Sequence, residues 1–279
     1  MLPAFYVDDV IRRAITEDIN YIDLATDLLI APDSVSCADF VSKDTGVIAG
    51  IDIALRVFEL VDPSIQITKF KSDGERATKG DIIATVKGST ASILKCERTS
   101  LNLLCHLSGV ATATSRLVDG AKGTKARIVD TRKTTPGLRA MEKYAVTCGG
   151  GFNHRFNLSD AAMLKDNHID AYGSITGAVK ALREKLGHMA KIEVEARTMQ
   201  DMLEGIECGA DVIMLDNMSV EDMAECVKVC GGRAILEASG NITEETVAQV
   251  AHTGVDIISS GAITHSAKVF DISLKFRKE

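Results

Sequence analysis

Four short apolar runs in the second half of the chain decide its fold: IEVE at Ile192–Glu195, VIML at Val212–Leu215, AILE at Ala234–Glu237 and DIIS at Asp256–Ser259. They begin about 21 residues apart, which is the length that a strand, a helix and two turns occupy together. Parallel strands need such a crossover connection, and the crossover is almost always right-handed. The spacing therefore predicts consecutive βα units.

The segments between these runs have the punctuation of helices. Each has apolar residues three and four positions apart, a hydroxyl residue suited to cap its start, and a glycine suited to end it. The three pairs of start and stop residues are Thr198 with Gly209, Ser219 with Gly231, and Thr243 with Gly254. We therefore expect one helix after each of the first three strands.

The same pattern extends towards the N-terminus. Strands are predicted at Ala126–Asp130 and Ala161–Lys165, and a helix at Ser174–Leu186, which gives at least six βα units between about residues 126 and 265. An α/β barrel, or an open barrel-like sheet, is the natural arrangement of such units. A doubly wound dinucleotide-binding sheet is the alternative, but no GxGxxG follows any predicted strand.

The first half of the chain has a different pattern. Helices are predicted at Val7–Glu17 and near Ile51–Leu60, and strands at Ser36–Ser42, Ile65–Phe70 and Ile82–Val86. This order favours a smaller α/β domain with a mainly antiparallel sheet. A long apolar helix from about 89 to 117 then leads into the barrel, and we expect Gly109 to break it.

Composition narrows the functional class. The 279 residues carry a net charge of -7, which argues against a nucleic-acid-binding protein. The N-terminus lacks the pattern of a signal peptide, and no apolar stretch is long enough to span a membrane. The seven cysteines include no CxxC pair, so we expect reduced thiols and a cytoplasmic enzyme.

Polar side chains follow nearly every predicted strand, where the active site of a barrel lies. The basic ones are concentrated within 34 residues of this acidic chain: Arg132, Lys133, Arg139, Lys143, His154, Arg155 and Lys165. Arginine binds carboxylates and phosphates through two parallel hydrogen bonds, whereas lysine acts as a point charge. We therefore expect ligands that carry several carboxylates or phosphates.

Two further groups complete this predicted site. The carboxylates of Glu195 and Asp216 are suited to Mg²⁺ or to sugar hydroxyls. The turns Ser239-Gly240-Asn241 and Ser260-Gly261-Ala262 follow late strands, where barrels often bind phosphate on backbone N–H groups. Two other functions stay open on the residues alone: a Schiff-base aldolase or sugar-phosphate isomerase with Lys165 as nucleophile, and an anion-binding protein without catalysis.

Several motifs, in order along the chain, resemble one known family. They are Glu97–Asn102 (ERTSLN), Asp130–Arg139 (DTRKTTPGLR), Gly149–Arg155 (GGGFNHR), Leu164–Ile169 (LKDNHI), Glu193–Glu195 (EVE), Leu215–Asn217 (LDN), Glu237–Gly240 (EASG) and Gly261–Ser266 (GAITHS). The sequence is similar in these stretches to quinolinate phosphoribosyltransferases. A molybdenum-associated paralogue of that family is the alternative, but the run Lys165–His168 favours the transferase.

The resemblance implies a fold and a reaction. The fold is an N-terminal α/β sandwich domain over 1–108, joined by the C-terminal tail 267–279, and an open TIM-like α/β barrel over 109–266 that carries the active site. The reaction transfers phosphoribose from phosphoribosyl pyrophosphate to quinolinate with decarboxylation, which yields nicotinate mononucleotide, pyrophosphate and CO₂ for NAD biosynthesis. Mg²⁺ is the implied cofactor.

The resemblance also implies a role for each motif residue. Arg132, His154, Arg155 and Lys165 would bind the quinolinate dicarboxylate, with Thr131 beside them, and Lys133 would lie between the two substrates. Glu195 and Asp216 would face the ribose hydroxyls or the substrate-bound Mg²⁺, with Lys133 as the third catalytic residue. The turns that contain Ser239, Gly240, Asn241, Ser260 and Gly261 would bind phosphate. Arg98 would reach the site of a neighbouring subunit, so a homodimer, and possibly a larger assembly of dimers, is expected.

Overall fold

The computed structural model describes residues 2–277. The chain divides into two compact units. The first comprises 1–115, 134–150 and 266–279, and the second comprises 116–133 and 151–265. The family resemblance places 109–115 and 134–150 in the barrel domain. In the structure, both stretches belong to the unit with the N-terminal sheet.

The first unit contains an antiparallel four-stranded sheet in the order β12-β1-β5-β3. Its strands are β1 (Val35–Ser42), β3 (Gln66–Lys69), β5 (Ile82–Ser89) and β12 (Ile272–Phe276). Two very short strands, β2 (Gly46–Val47) and β4 (Arg76–Ala77), pair with each other. The mainly antiparallel sheet predicted from the first half is confirmed, and the C-terminal strand β12 completes it.

Five helices belong wholly or mainly to the first unit: α1 (Ala4–Asp18), α2 (Leu24–Leu29), α3 (Ile51–Val61), α4 (Thr90–Gly120) and α5 (Arg139–Cys148). The predicted break at Gly109 is wrong, because α4 continues through it. An added Cβ at Gly109 would lie 2.4 Å from the carbonyl oxygen of Lys268. Glycine is needed there for close backbone contact rather than for a bend.

The second unit contains one parallel sheet of six strands in the order β6-β11-β10-β9-β8-β7. The strands are β6 (Arg127–Val129), β7 (Ala162–Leu164), β8 (Ile192–Ala196), β9 (Val212–Asp216), β10 (Ile235–Ser239) and β11 (Ile257–Ser259). Among the described residues, β6 and β7 form no ladder with each other, so the barrel is open between them. All six strands predicted from the sequence are present.

Helices connect these strands: α6 (Asp166–Tyr172), α7 (Ile175–Lys185), α8 (Met199–Glu207), α9 (Val220–Cys230), α10 (Val247–His252) and α11 (Ala262–His265). The hydroxyls of Thr198 and Ser219 cap α8 and α9 as predicted. Thr243 is not the N-cap of α10: its hydroxyl accepts from the backbone N–H groups of Glu245 and Thr246, and Thr246 occupies the N-cap position. Over residues 2–277, no helix is both long and apolar enough to cross a membrane.

Candidate active site

A cavity of about 510 Å³ lies at the carboxyl ends of the parallel strands. Nine predicted site residues line it: Thr131, Arg132, Lys133, His154, Arg155, Lys165, Glu195, Asp216 and Ser239. Five further residues complete the lining: Met163, Met214, Asn217, Glu237 and Ser259. The structure therefore brings most of the predicted site together within one unit.

The strand register explains why these side chains meet. Glu195, Met214 and Glu237 are aligned across β8, β9 and β10. Asp216 pairs with Ser239 one layer nearer the strand ends. Because residues two apart in a strand point to the same face, each strand contributes a layered set of side chains to the cavity.

Two cations on the cavity wall have defined protein partners. Arg155 donates from Nη1 to the carbonyl oxygen of Ala161 (2.8 Å) and from Nη2 to the sulfur of Met163 (3.4 Å). Burial and the neighbouring charge of Arg132 lower the pKa of Arg155. Lys165 donates from Nζ to Oε2 of Glu195 (2.9 Å). Two guanidinium groups close enough to repel each other favour an anionic ligand between them.

His154 lies against two buried carboxylates. Its Nε2 is 3.2 Å from Oε2 of Glu193 and 3.4 Å from Oε2 of Glu237, and those side chains are only 5% and 1% exposed. Burial alone lowers the His154 pKa, but the two carboxylates outweigh it and raise that pKa to about 10. On the other side of the ring, Nδ1 lies 2.8 Å from the backbone nitrogen of Arg155.

A second cavity, of about 410 Å³, shares Thr131, Lys133, Asp216, Ser239 and other residues with the first. It is also lined by Gly240, Asn241, Ser260 and Gly261, the four remaining predicted phosphate-binding residues. Gly240 has a φ of 97°, and Asn217 and Asn241 have φ values of 53° and 52°. Left-handed backbone is uncommon for residues other than glycine, although asparagine tolerates it better than most, and such residues recur at ligand sites.

Lys133 lines both cavities, as its predicted position between two ligands requires. Its backbone N–H donates to the hydroxyl of Thr131 (3.0 Å), and its carbonyl accepts from the hydroxyl of Thr264 (2.8 Å). These bonds fix the turn after β6. The lysine stem then runs beside Gly261, where a larger residue would contact it.

Some sequence predictions are not placed in either cavity. Arg98 is an exposed residue of α4 in the first unit and lines neither one. Arg139 and Lys143, from the predicted basic cluster, also belong to the first unit. Gly149, the first residue of the motif GGGFNHR, also lines neither cavity, and an added Cβ there would lie 2.4 Å from the carbonyl oxygen of Ala111. Helix packing requires that glycine.

The sequence argument missed the buried carboxylates. Neither Glu193 nor Glu237 is among the site residues predicted from the sequence. A usable signal was present, because Glu193 alternates with Glu195 along a strand that is otherwise apolar. Two carboxylates on the same face of a buried strand need a cationic partner.

Comparison with known proteins agrees with the geometry. The family model described as "Quinolinate phosphoribosyl transferase, C-terminal domain" matches residues 110–275, and the corresponding N-terminal domain model matches 23–108. A probable carboxylating nicotinate-nucleotide pyrophosphorylase of Bacillus subtilis is 45% identical over 92% of this chain and 89% of its own length. The carboxylating enzyme of Mycobacterium leprae is 41% identical over 95% of each chain.

A solved structure shows the same fold. The nicotinate-nucleotide pyrophosphorylase of Francisella tularensis superposes with a TM-score of 0.94 at 40% identity, over 99% of this chain and 98% of that one. With both domain models matched in order and relatives aligned over nearly their whole length, the chain belongs to the quinolinate phosphoribosyltransferase family.

Proposed function

We propose that this chain transfers phosphoribose from phosphoribosyl pyrophosphate to quinolinate and decarboxylates the product. Nicotinate mononucleotide, pyrophosphate and CO₂ result, a step of NAD biosynthesis. The single observation that carries the proposal is the pair of adjoining cavities with Lys133 on the wall of both. Two anionic substrates that must react with each other require adjoining sites of this kind.

Quinolinate fits the cavity of about 510 Å³ by its charge. It is a dianion, and Arg132, Arg155 and Lys165 supply three cations on that wall. The planar guanidinium groups suit carboxylates, and the dense positive charge offsets the negative charge of the ligand. Once the pyridine nitrogen is ribosylated, the ring becomes the electron sink for decarboxylation, and these residues hold it in place.

Phosphoribosyl pyrophosphate fits the second cavity. The turns at Gly240, Asn241, Ser260 and Gly261 present backbone to that space, in the position where barrels often bind phosphate. Glu195 lines the first cavity and Asp216 lines both, so the anomeric carbon would be placed beside them where the two cavities adjoin. As pyrophosphate leaves, positive charge develops on the ribose, and fixed carboxylates stabilise it.

Mg²⁺ is part of this proposal, and the donor set fits it. Glu195 and Asp216 end neighbouring strands and supply carboxylate oxygens, the ligands that Mg²⁺ prefers. Both also have protein partners, Lys165 and Asn217, so an all-protein cage is not formed. The two carboxylates would hold a metal that arrives with pyrophosphate, where it neutralises the charge of the leaving group.

The proposal includes assembly and location. Arg98 contributes to neither cavity of its own chain, which supports a homodimer in which Arg98 serves the partner's site. All seven cysteines are free thiols, which supports a reducing, cytoplasmic location.

One assay tests the reaction. Quinolinate labelled in its 2-carboxyl group is incubated with the protein, with and without phosphoribosyl pyrophosphate, and released CO₂ is counted. We expect release only with both substrates, with one pyrophosphate formed per CO₂. Binding of quinolinate without release would instead indicate an anion-binding protein.

A Schiff-base reaction at Lys165 is the other enzymatic candidate. Its ammonium group donates to Glu195 and its side chain is half exposed, whereas Schiff-base lysines are typically desolvated and neutral. We expect no covalent adduct after borohydride treatment with a carbonyl substrate, measured by mass spectrometry.

A further inference from the structure

The open edge of the barrel carries one of the substrate-binding arginines. Within residues 2–277, β6 and β7 share no ladder, and the segment Gly151–Arg155 lies at this edge. Phe152 donates to the carbonyl of Ile128 (2.8 Å) and accepts from the backbone of Asp130 (3.3 Å). The segment is therefore attached to β6 by two backbone hydrogen bonds.

Arg155 ties the same segment to the other edge strand. Its Nη1 donates to the carbonyl of Ala161, just before β7. The segment thus bridges two strands that do not pair, and its position depends on few backbone bonds. Loops held in this way move more easily than paired strands, so side-chain contacts have a larger share in placing them.

His154 supplies such contacts across the inside of the barrel. Its backbone N–H donates to Asp130 (2.9 Å), and its ring reaches Glu193 on β8 and Glu237 on β10. Nδ1 lies 2.8 Å from the backbone nitrogen of Arg155, so both ring nitrogens contact protein atoms. The ring therefore links this segment to the two strands that carry the glutamates.

We propose that Glu193 and Glu237 are positioning residues that act through His154 on the quinolinate-binding Arg155. The inference rests on the proposed function and extends it to two carboxylates with no assigned role. His154, Glu193 and Glu237 each have a side-chain nitrogen or oxygen atom within 4.8 Å of those of the other two. The three side chains therefore form one cluster.

Charge supports this arrangement. The second oxygen, Oε1, of each glutamate is buried and has no hydrogen-bond partner, so each carboxylate is held mainly through His154. Glu193 also opposes the lowering of the Arg155 pKa, which couples this carboxylate to the guanidinium group electrostatically. Buried charges without other partners are costly, and the cluster therefore favours one arrangement of the ring.

Glu193 gives the cleaner test, because it does not line the cavity and cannot touch the substrate in this geometry. Quinolinate affinity is measured by calorimetry for the wild type, Glu193→Gln, Arg155→Ala and the double variant. Glu204→Gln is the matched control: Glu204 also accepts two hydrogen bonds in the second unit, from Thr176, and lines neither cavity. Michaelis constants for phosphoribosyl pyrophosphate are measured in parallel.

We expect Glu193→Gln to weaken quinolinate binding about tenfold, with the constant for phosphoribosyl pyrophosphate unchanged. In the Arg155→Ala background, Glu193→Gln should add no further loss, because its effect passes through Arg155. Glu204→Gln should bind quinolinate as the wild type does. Glu237→Gln, which changes the glutamate on β10, should weaken quinolinate binding in the same way.

Other outcomes overturn the proposal. Fully multiplicative losses in the double variant would mean that Glu193 acts independently of Arg155. Unchanged affinity in Glu193→Gln would mean that the cluster does not position the arginine. Loss of the native circular dichroism spectrum in both glutamine variants would assign these carboxylates to folding alone. Absence of quinolinate binding by the wild type would refute the proposed function instead.

Discussion

The side chain of Lys133 passes so close to Gly261 that an added Cβ at that glycine would lie 2.9 Å from Cδ of the lysine. The same Cβ would lie 3.2 Å from the ring of His265. Lys133 follows β6 and Gly261 follows β11, and these two strands are neighbours in the sheet. Glycine at 261 therefore leaves room for the lysine stem between the two cavities.

Replacement of this glycine should displace the lysine. Gly261→Ala adds one methyl group against Cδ, so we expect kcat to fall about tenfold or more while the melting temperature changes little. Gly187→Ala is the matched control, since an added Cβ there meets no atom within 4 Å. Steady-state kinetics and thermal denaturation measure both effects. Wild-type kcat in Gly261→Ala would show that the precise path of Lys133 is unimportant.

The substrate charge gives a second prediction. Arg132, Arg155 and Lys165 line one cavity, so we expect both carboxylates of quinolinate to be recognised. Nicotinate lacks one of them and would leave a partly buried cation without its partner, which costs about 2–4 kcal/mol. Its kcat/KM should therefore be about 30- to 1,000-fold lower. Competition between the two acids for phosphoribosyl pyrophosphate measures the ratio, and comparable values would contradict the assignment.

The strands and turns that depend on local residue spacing could be predicted from the sequence. The last four strands of the parallel sheet follow from apolar runs about 21 residues apart, and the parallel register then brings the side chains at their carboxyl ends together. The turn at Gly240, which lines the second cavity, follows from the same pattern. Local patterns and tertiary structure agree at these positions.

Features that depend on a contact between residues far apart in the sequence could not be predicted. Gly109 is a helix breaker by propensity, but the backbone at Lys268 requires a residue without a side chain there. The alternation of Glu193 with Glu195 indicates a buried carboxylate, but it does not reveal the partner, His154, which lies 39 positions earlier. Contacts between residues far apart in sequence leave little trace in local patterns.

Metal dependence is the third prediction. Mg²⁺ keeps several waters, and in the proposed reaction it binds mainly through pyrophosphate, so the protein alone should bind it weakly. Excess EDTA should abolish CO₂ release, and added Mg²⁺ should restore it. Calorimetry of Mg²⁺ with the free protein is the control for the weak site. Full activity in EDTA would remove the metal from the proposed mechanism.

The fourth prediction concerns acid stability. Hydrogen bonds from Arg277 lower the pKa of Asp39 below its ordinary 3.8, although burial opposes them and Thr85 adds to them. A carboxyl whose folded-state pKa is lowered stabilises the fold above its unfolded pKa. That contribution is lost as pH falls through the folded value.

Asp39→Asn should therefore lower the free energy of unfolding by about 1–2 kcal/mol at pH 7. The difference from the wild type should shrink once the pH falls below 3.8. Chemical denaturation at several pH values measures it, with the exposed Asp33→Asn as the control. A difference that stays constant down to pH 3 would show that the Asp39 charge is not involved.

The last prediction concerns assembly. Arg98 lies in the first unit, exposed on α4, and lines neither cavity of its own chain. If it serves a partner's site, a two-fold homodimer has two composite active sites, each with Arg98 from one chain and Lys133 from the other. Arg98→Ala and Lys133→Ala homodimers should each lose most activity. A mixed dimer should regain about half of the wild-type sites, because one of its two sites carries neither substitution.

Turnover after the two variants are refolded together, compared with each refolded alone, measures the recovery. Arg98→Lys, which keeps the charge but not the planar fork, indicates whether bidentate binding is needed. Mixed dimers that form, as seen by native mass spectrometry, yet recover no activity would assign Arg98 to its own chain.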